Sequence, residues 1–394
     1  MRYILCTLLI LWIATVTFEI KVNYIHEWKY VDFIWKSNEQ KEDAINSGTY
    51  NRSACMIFDV DKAKDGRLFV SISKELGPGT PATLATVTNK KGPGGPLLRP
   101  YPNWSWHNNN CACDGIVNVV RMNIRCNHIF ALDTGKIGPD HICNPKLLIF
   151  NLKDDTLVKT IYIPFDFASN ATGFGSLISP TVYIPKTCKQ FLHKMIVIMA
   201  DIQGKGLVVY DSSVKSMCRV ESDYMIPTEN FASIANKTFP YDGGVFSIAT
   251  LYDELYYVTT PGRKIYKIKI ESLLKCPNIK EANKKTNVAI KIPSDSGGIA
   301  SAGHSIFYGD SDGNAILGTN VFKKSGKNTV IVAQDDEKLQ AISSMKASYY
   351  WNKFIGISNR FYRFVLDIVN VNEVNIRYFE MDLTEIRKKM DSIP

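Results

Sequence analysis

Along the chain, β-rich runs alternate with short polar turns, and helical spacing of apolar residues is nearly absent. Six runs recur: Leu68–Ile72, His128–Asp133, Met195–Asp201, Leu255–Thr259, Ser305–Asp310 and Lys353–Ser358, often followed by a second β-rich run. With Ser71, Asp133, Asp201, Thr259, Asp310 and Ser358 taken as equivalent strand ends, the spacings are 62, 68, 58, 51 and 48 residues. A solenoid would be more regular, whereas sheets of about four strands at this spacing suit propeller blades. A second repeat places a small residue at the opening of an apolar strand, at Gly115, Gly175, Gly244, Gly298 and Ala341. Strands crowding a channel axis need such residues. The pattern predicts an all-β six-bladed propeller with four-stranded antiparallel blades around a central channel. Paired sandwiches or tandem barrels leave the sixfold count unexplained.

Composition narrows the class. The 394 residues are 45% hydrophobic and 22% charged, with 25 Gly and 17 Pro, which excludes disordered, collagen-like and multi-span membrane chains. That length exceeds the roughly 250–300 residues at which one ordinary core stops growing, so a ring of repeats accounts for it. The formal charge of +9 comes from basic residues spread without a long block, which favours a solvated surface over nucleic-acid binding. Met1-Arg2 and the apolar run Tyr3 to Val16 predict a secretory signal peptide over residues 1–19, leaving 20–394 as one propeller domain. The run is short for a membrane span.

Removal of Cys6 with the leader leaves eight cysteines, an even set suited to disulfides in an oxidising compartment. In an up-and-down blade the first and third strands start at the same edge, which predicts Cys113 with Cys143. Cys126 and Cys188 occupy corresponding first turns of neighbouring blades, which predicts a staple between them. Cys55 and Cys111 both precede inner strands, and Cys218 and Cys276 both follow outer strands, which gives the last two pairs. Secretion gives meaning to four glycosylation sequons, at Asn51, Asn103, Asn170 and Asn236.

Other chemistry is sparse. Asp295-Ser296-Gly297-Gly298 imitates a protease nucleophile loop without a matching His, and Asp310-Ser311-Asp312-Gly313-Asn314 has its Gly misplaced for a calcium loop, so both read as turns. Gly204-Lys205-Gly206 lies between strands and lacks the helix a dinucleotide site requires. The six histidines never fall at paired ligand spacing, so neither a metal nor a cofactor is expected.

His26-Glu27-Trp28-Lys29, Gly95-Pro96-Leu97-Leu98, Cys126 with Leu132-Asp133, Asn170-Ala171-Thr172, Ala200-Asp201 with Gly204 and Gly206, and Ala333-Gln334 with Leu339-Gln340 resemble the major royal jelly protein/yellow family of insects, nearer its royal-jelly branch. The resemblance spans nearly the whole mature chain and implies a secreted six-bladed propeller that is not an enzyme. It implies a nutritive or storage role, or small-ligand binding. The alternatives it carries are a biogenic-amine or sterol carrier acting through the channel and a dopachrome-converting enzyme. Blood-feeding relatives hold amines with an Asn and a Phe two places later, which here correspond to Asn359 and Phe361. Gln340 stands where those relatives have Thr, Arg360 replaces a small residue, and Ser247 is a further channel-end candidate. Thr319 stands where royal jelly proteins carry a bridging Cys, so the last blade is expected to close by taking residues 24–33 as its outer strand. A homo-oligomer or a small protein partner is also expected; nucleic acid and membrane are not.

Overall fold

The structure, a computed structural model, describes residues 20–107, 113–185, 187–323 and 328–392. The predicted leader, Cys111 and the two C-terminal residues lie outside these. Six four-stranded antiparallel sheets follow one another around an axis. Their innermost strands are Ile57–Lys62, Val119–Arg125, Leu177–Tyr183, Gly244–Leu251, Ile299–Ala302 and Ala341–Ser348. Each packs against the next, and the last returns to the first. The six runs read from the sequence are the second strands of the six blades, and the small residues lie at or just before the starts of the inner strands. Crowding there is physical: a Cβ on Gly175 would stand 1.9 Å from the Ala168 carbonyl oxygen, and one on Gly244 would stand 2.1 Å from that of Ile202.

Middle strands such as Ile196–Asp201 are buried along their whole length, because neighbouring blades cover both faces. Outer strands such as Thr156–Tyr162 are largely open to solvent. The sixth blade is completed by Asn23–Trp28, which pairs antiparallel with Ile376–Asp382; the strand stops short of the expected residue 33, and Phe33 bridges to Leu98 of blade 1 instead. Trp28 is fully buried there and donates from Nε1 to the Pro96 carbonyl at 2.8 Å, tying the closing strand to blade 1. Thr319 shares hydroxyl hydrogen bonds with Tyr308 at 3.0 Å and Thr329 at 2.7 Å.

Disulfides join Cys113–Cys143, Cys126–Cys188 and Cys218–Cys276. Two details depart from the sequence reading. Cys218 lies within the outer strand Ser216–Glu221 rather than after it, and Cys276 lies just beyond the short helix Ile270–Leu274, in the connection to the outer strand of blade 4. Cys55 is a free buried thiol rather than half of a bridge. Its Sγ donates to the Gly79 carbonyl at 3.3 Å, and burial pushes the thiol up to about 12.

Five of the six inner strands carry a register irregularity near their start, which leaves Phe58, Val120 with Arg121, Ile178, Phe246 and Ser343 unpaired. A bulge re-aims the side chain it releases. The residues released here meet at the channel, where Phe58, Val120, Ile178 and Phe246 line one cavity and Arg121 another.

Candidate functional site

Arg121 divides the channel. Its Nη1 and Nη2 donate to the carbonyls of Ser343 at 2.6 Å and Gly297 at 2.7 Å, and its guanidinium lies 4.9 Å from the Phe58 ring and 5.2 Å from that of Phe246. Burial pushes this group down to about 10, against the pull of Asp59.

On one side of Arg121 lies a polar mouth of about 350 Å³. Lys346 is paired there with Asp59 and Asp61. Asp59 receives the Lys346 ammonium at 2.7 Å, the Met122 N–H at 2.9 Å and the Ser344 hydroxyl. Asp61 accepts from the Ile124 N–H at 2.8 Å, and burial raises it above the usual carboxylate range.

On the other side lies an aromatic chamber of about 500 Å³, lined by Phe58, Val120, Ile178, Phe246, Tyr241, Phe361 and Phe364, with Glu75 on its wall. Phe58, Tyr241, Phe246 and Phe361 also bound an inner recess of about 40 Å³ that reaches Asn359, room for a water or a small head group. Two acceptors here have no partner: Glu75 Oε2 and Asn359 Oδ1 are buried without a hydrogen bond among the described residues. The other Glu75 oxygen accepts from Ser176 Oγ at 3.4 Å. Burial pushes the Glu75 carboxyl up to about 7, opposed by the Lys136 charge. An unsatisfied buried acceptor costs about 1–3 kcal/mol, so both atoms favour a ligand that donates.

Asn359 ends the strand Lys353–Asn359, and its Nδ2 donates to the Ile57 carbonyl at 3.3 Å and to Ser343 Oγ at 3.1 Å. That holds Oδ1 toward the recess. The strand stops there: Phe361 opens the helix Phe361–Val365, whose first ring packs against Phe58, Phe239 and Tyr241. Arg360 turns away from the channel and donates to Glu373 Oε2 at 2.6 Å. Asn359 and Phe361 therefore meet at one recess, and the other two anticipated residues do not join them. Ser247 belongs to the polar mouth and accepts from the Ile299 N–H at 3.1 Å. Gln340 donates to the Asp336 carbonyl at 3.2 Å and lines neither the chamber nor the recess.

Sequence reasoning passed over Glu75, Tyr241 and the bulged rings Phe58 and Phe246. The bulges leave a trace, because Ile57-Phe58-Asp59 and Val245-Phe246-Ser247 place two apolar residues before a polar one and break strict alternation. Glu75 lies in a loop and leaves none.

The family model for the major royal jelly proteins matches residues 117–390. Major royal jelly protein 3 of Apis mellifera is 32% identical over 391 residues, which covers 93% of this chain and 70% of that protein. Major royal jelly protein 6 of the same organism is 30% identical, covering 94% and 87%. Among solved structures, a virginiamycin B lyase of Staphylococcus aureus is similar with a TM-score of 0.42 and 10% identity, covering 85% of this chain and 97% of that one. A nidogen/laminin complex chain gives a TM-score of 0.42 at 8% identity, covering 76% and 87%. Those two likenesses are too distant to bear on function.

Proposed function

We propose that this chain, which belongs to the major royal jelly protein family, is a secreted, non-enzymatic propeller that carries a small apolar molecule with a hydrogen-bond-donating head in its aromatic chamber. The observation that carries this reading is the unpartnered Glu75 Oε2 on the wall of an aromatic cavity whose volume suits a small ligand. A carboxylate prefers an ammonium to a hydroxyl, and the surrounding ring faces add cation–π attraction, so an aromatic primary amine ranks above a sterol. The Arg121 charge lies beneath the Phe58 and Phe246 rings and acts against a cation, which makes Glu75 the deciding group. Three disulfides and four sequons support passage through an oxidising secretory route.

Calorimetry with serotonin, octopamine and a sterol tests the proposal. Heat from an amine that disappears in Glu75→Ala is the expected result. No heat from any of the three leaves a nutritive or storage role, and turnover of dopachrome would restore the enzymatic alternative. Native mass spectrometry of the secreted protein reads its oligomeric state and any protein partner.

A further inference from the structure

We propose that an N-linked glycan on Asn51 forms part of the rim of the aromatic chamber and sets the size of molecule that enters it. The proposal rests on secretion and on the chamber being the ligand site. Asn51-Arg52-Ser53 is a sequon, and Asn51, Ser53 and Ala54 line the chamber alongside Glu75 and Pro78. The other three sequons do not border it: Asn170 lines a separate groove, Asn236 sits at a hairpin turn, and Asn103 precedes a short helical turn.

The attachment point is exposed and held in place. Asn51 N–H donates to the Gly79 carbonyl at 2.8 Å, and the Asn51 carbonyl accepts from Ala54 N–H at 3.0 Å. Its Oδ1 accepts from Ser53 N–H at 2.9 Å, while Nδ2, the atom that bears the sugar, makes no hydrogen bond among the described residues. Arg52 is drawn over the Tyr30 ring at 4.8 Å, which fixes the neighbouring residue. A glycan rooted on so constrained a backbone stays beside the opening. Bulky, hydrated pyranose rings there would pass an amine of one or two rings and obstruct a sterol-sized body.

The test uses the full chain secreted from a eukaryotic host, with a reporter thiol introduced at Val365→Cys on the chamber wall. Labelling rates are measured with iodoacetamide and with a polyethylene-glycol maleimide, in the glycosylated protein and in Asn51→Gln and Ser53→Ala backgrounds. Both sequon variants should label at least tenfold faster with the large reagent and about equally fast with the small one, while Asn236→Gln should change neither. Equal rates with the large reagent across all forms, or an Asn51 peptide without a glycan, would overturn the proposal. The readout needs no ligand, so gating without amine heat would sink the ligand reading alone. Ser53→Ala keeps Asn51 itself, and its Tm separates lost glycan from lost fold.

Discussion

Across the channel, Arg121 of blade 2 donates to the carbonyl oxygen of Ser343 in blade 6 at 2.6 Å. Both residues lie in bulges, so the irregularities that release side chains from the sheet ladder also supply the partition. Replacing Arg121 with Met keeps bulk but leaves the Ser343 and Gly297 carbonyls without these donors, at about 1–3 kcal/mol each. Part of this is offset because a costly buried charge is removed. Arg121→Met should therefore unfold about 1–3 kcal/mol more easily in urea, with an unchanged m-value. A loss below about 0.5 kcal/mol would mean that the partition does not bind the blades together.

Ring closure gives a second expectation. The N-terminal strand adds the outer edge of blade 6, where Arg377 also pairs with Glu27 at 3.0 Å. Trp28 is its anchor and has no exposure. Trp28→Ala should cost about 3–5 kcal/mol, the usual scale for emptying a buried aromatic site. Hydrogen exchange should then show the amides of Ile376–Asp382 losing protection before those of blade 3. Uniform loss across all blades would show that the closing strand is not the weak point.

The Cys126–Cys188 bridge spans 62 residues and joins turns of adjacent blades. Its removal by paired Ala substitution should lower stability by about 2–4 kcal/mol. Cys55→Ser should instead act through packing, since that thiol closes no loop; it buries a hydroxyl where a sulfur now contacts Gly79 and Thr80. Free-thiol titration of the unfolded protein checks the distinction, because bridged residues report only after reduction.

The blade count, the strand phase and the three disulfide pairs found among the described residues were legible in the sequence because propeller strands repeat at a spacing that hydrophobic runs reveal. The closing strand was legible as a necessity of topology, since a ring with a free edge needs an outer strand from somewhere. Of the residues that line the chamber and its recess, the sequence pointed to Asn359 and Phe361 alone as ligand contacts, through family likeness. Ser247 opens to the polar mouth while Phe246 lines the chamber, because a single bulge at Phe246 sends adjacent residues to opposite sides of the partition, and sequence alternation does not announce that shift. Arg360 replaces a small residue of the relatives, and its direction could not be read from the sequence. A helix begins there and delivers the guanidinium to Glu373, whose carboxyl the Arg363 and Arg360 side chains hold at about 2. Glu75 was invisible because its character comes from burial among distant blades.

Glu75 is expected to give folding and amine binding opposite pH dependences. Burial raises its carboxyl in the folded chain from 4.5 to about 7. The folded state therefore binds the proton more tightly than the unfolded one. Its stabilising effect is full below about pH 4.5 and is lost as pH rises to about 7, a difference on the order of 3 kcal/mol. Glu75→Gln, which cannot ionise, should accordingly be more stable than the parent at pH 8 and no more stable at pH 4. Ligand binding should run the opposite way. An ammonium needs the ionised carboxylate, so amine affinity should fall up to about tenfold per pH unit below 7, while Glu75→Gln binds weakly with no slope. Asn359→Ala should weaken binding about five- to thirtyfold at every pH, the scale of one lost hydrogen bond of about 1–2 kcal/mol. Calorimetric titration with serotonin at pH 5, 6, 7 and 8 in the three proteins decides the matter. Parallel pH slopes in the parent and in Glu75→Gln would show that Glu75 does not receive the ammonium.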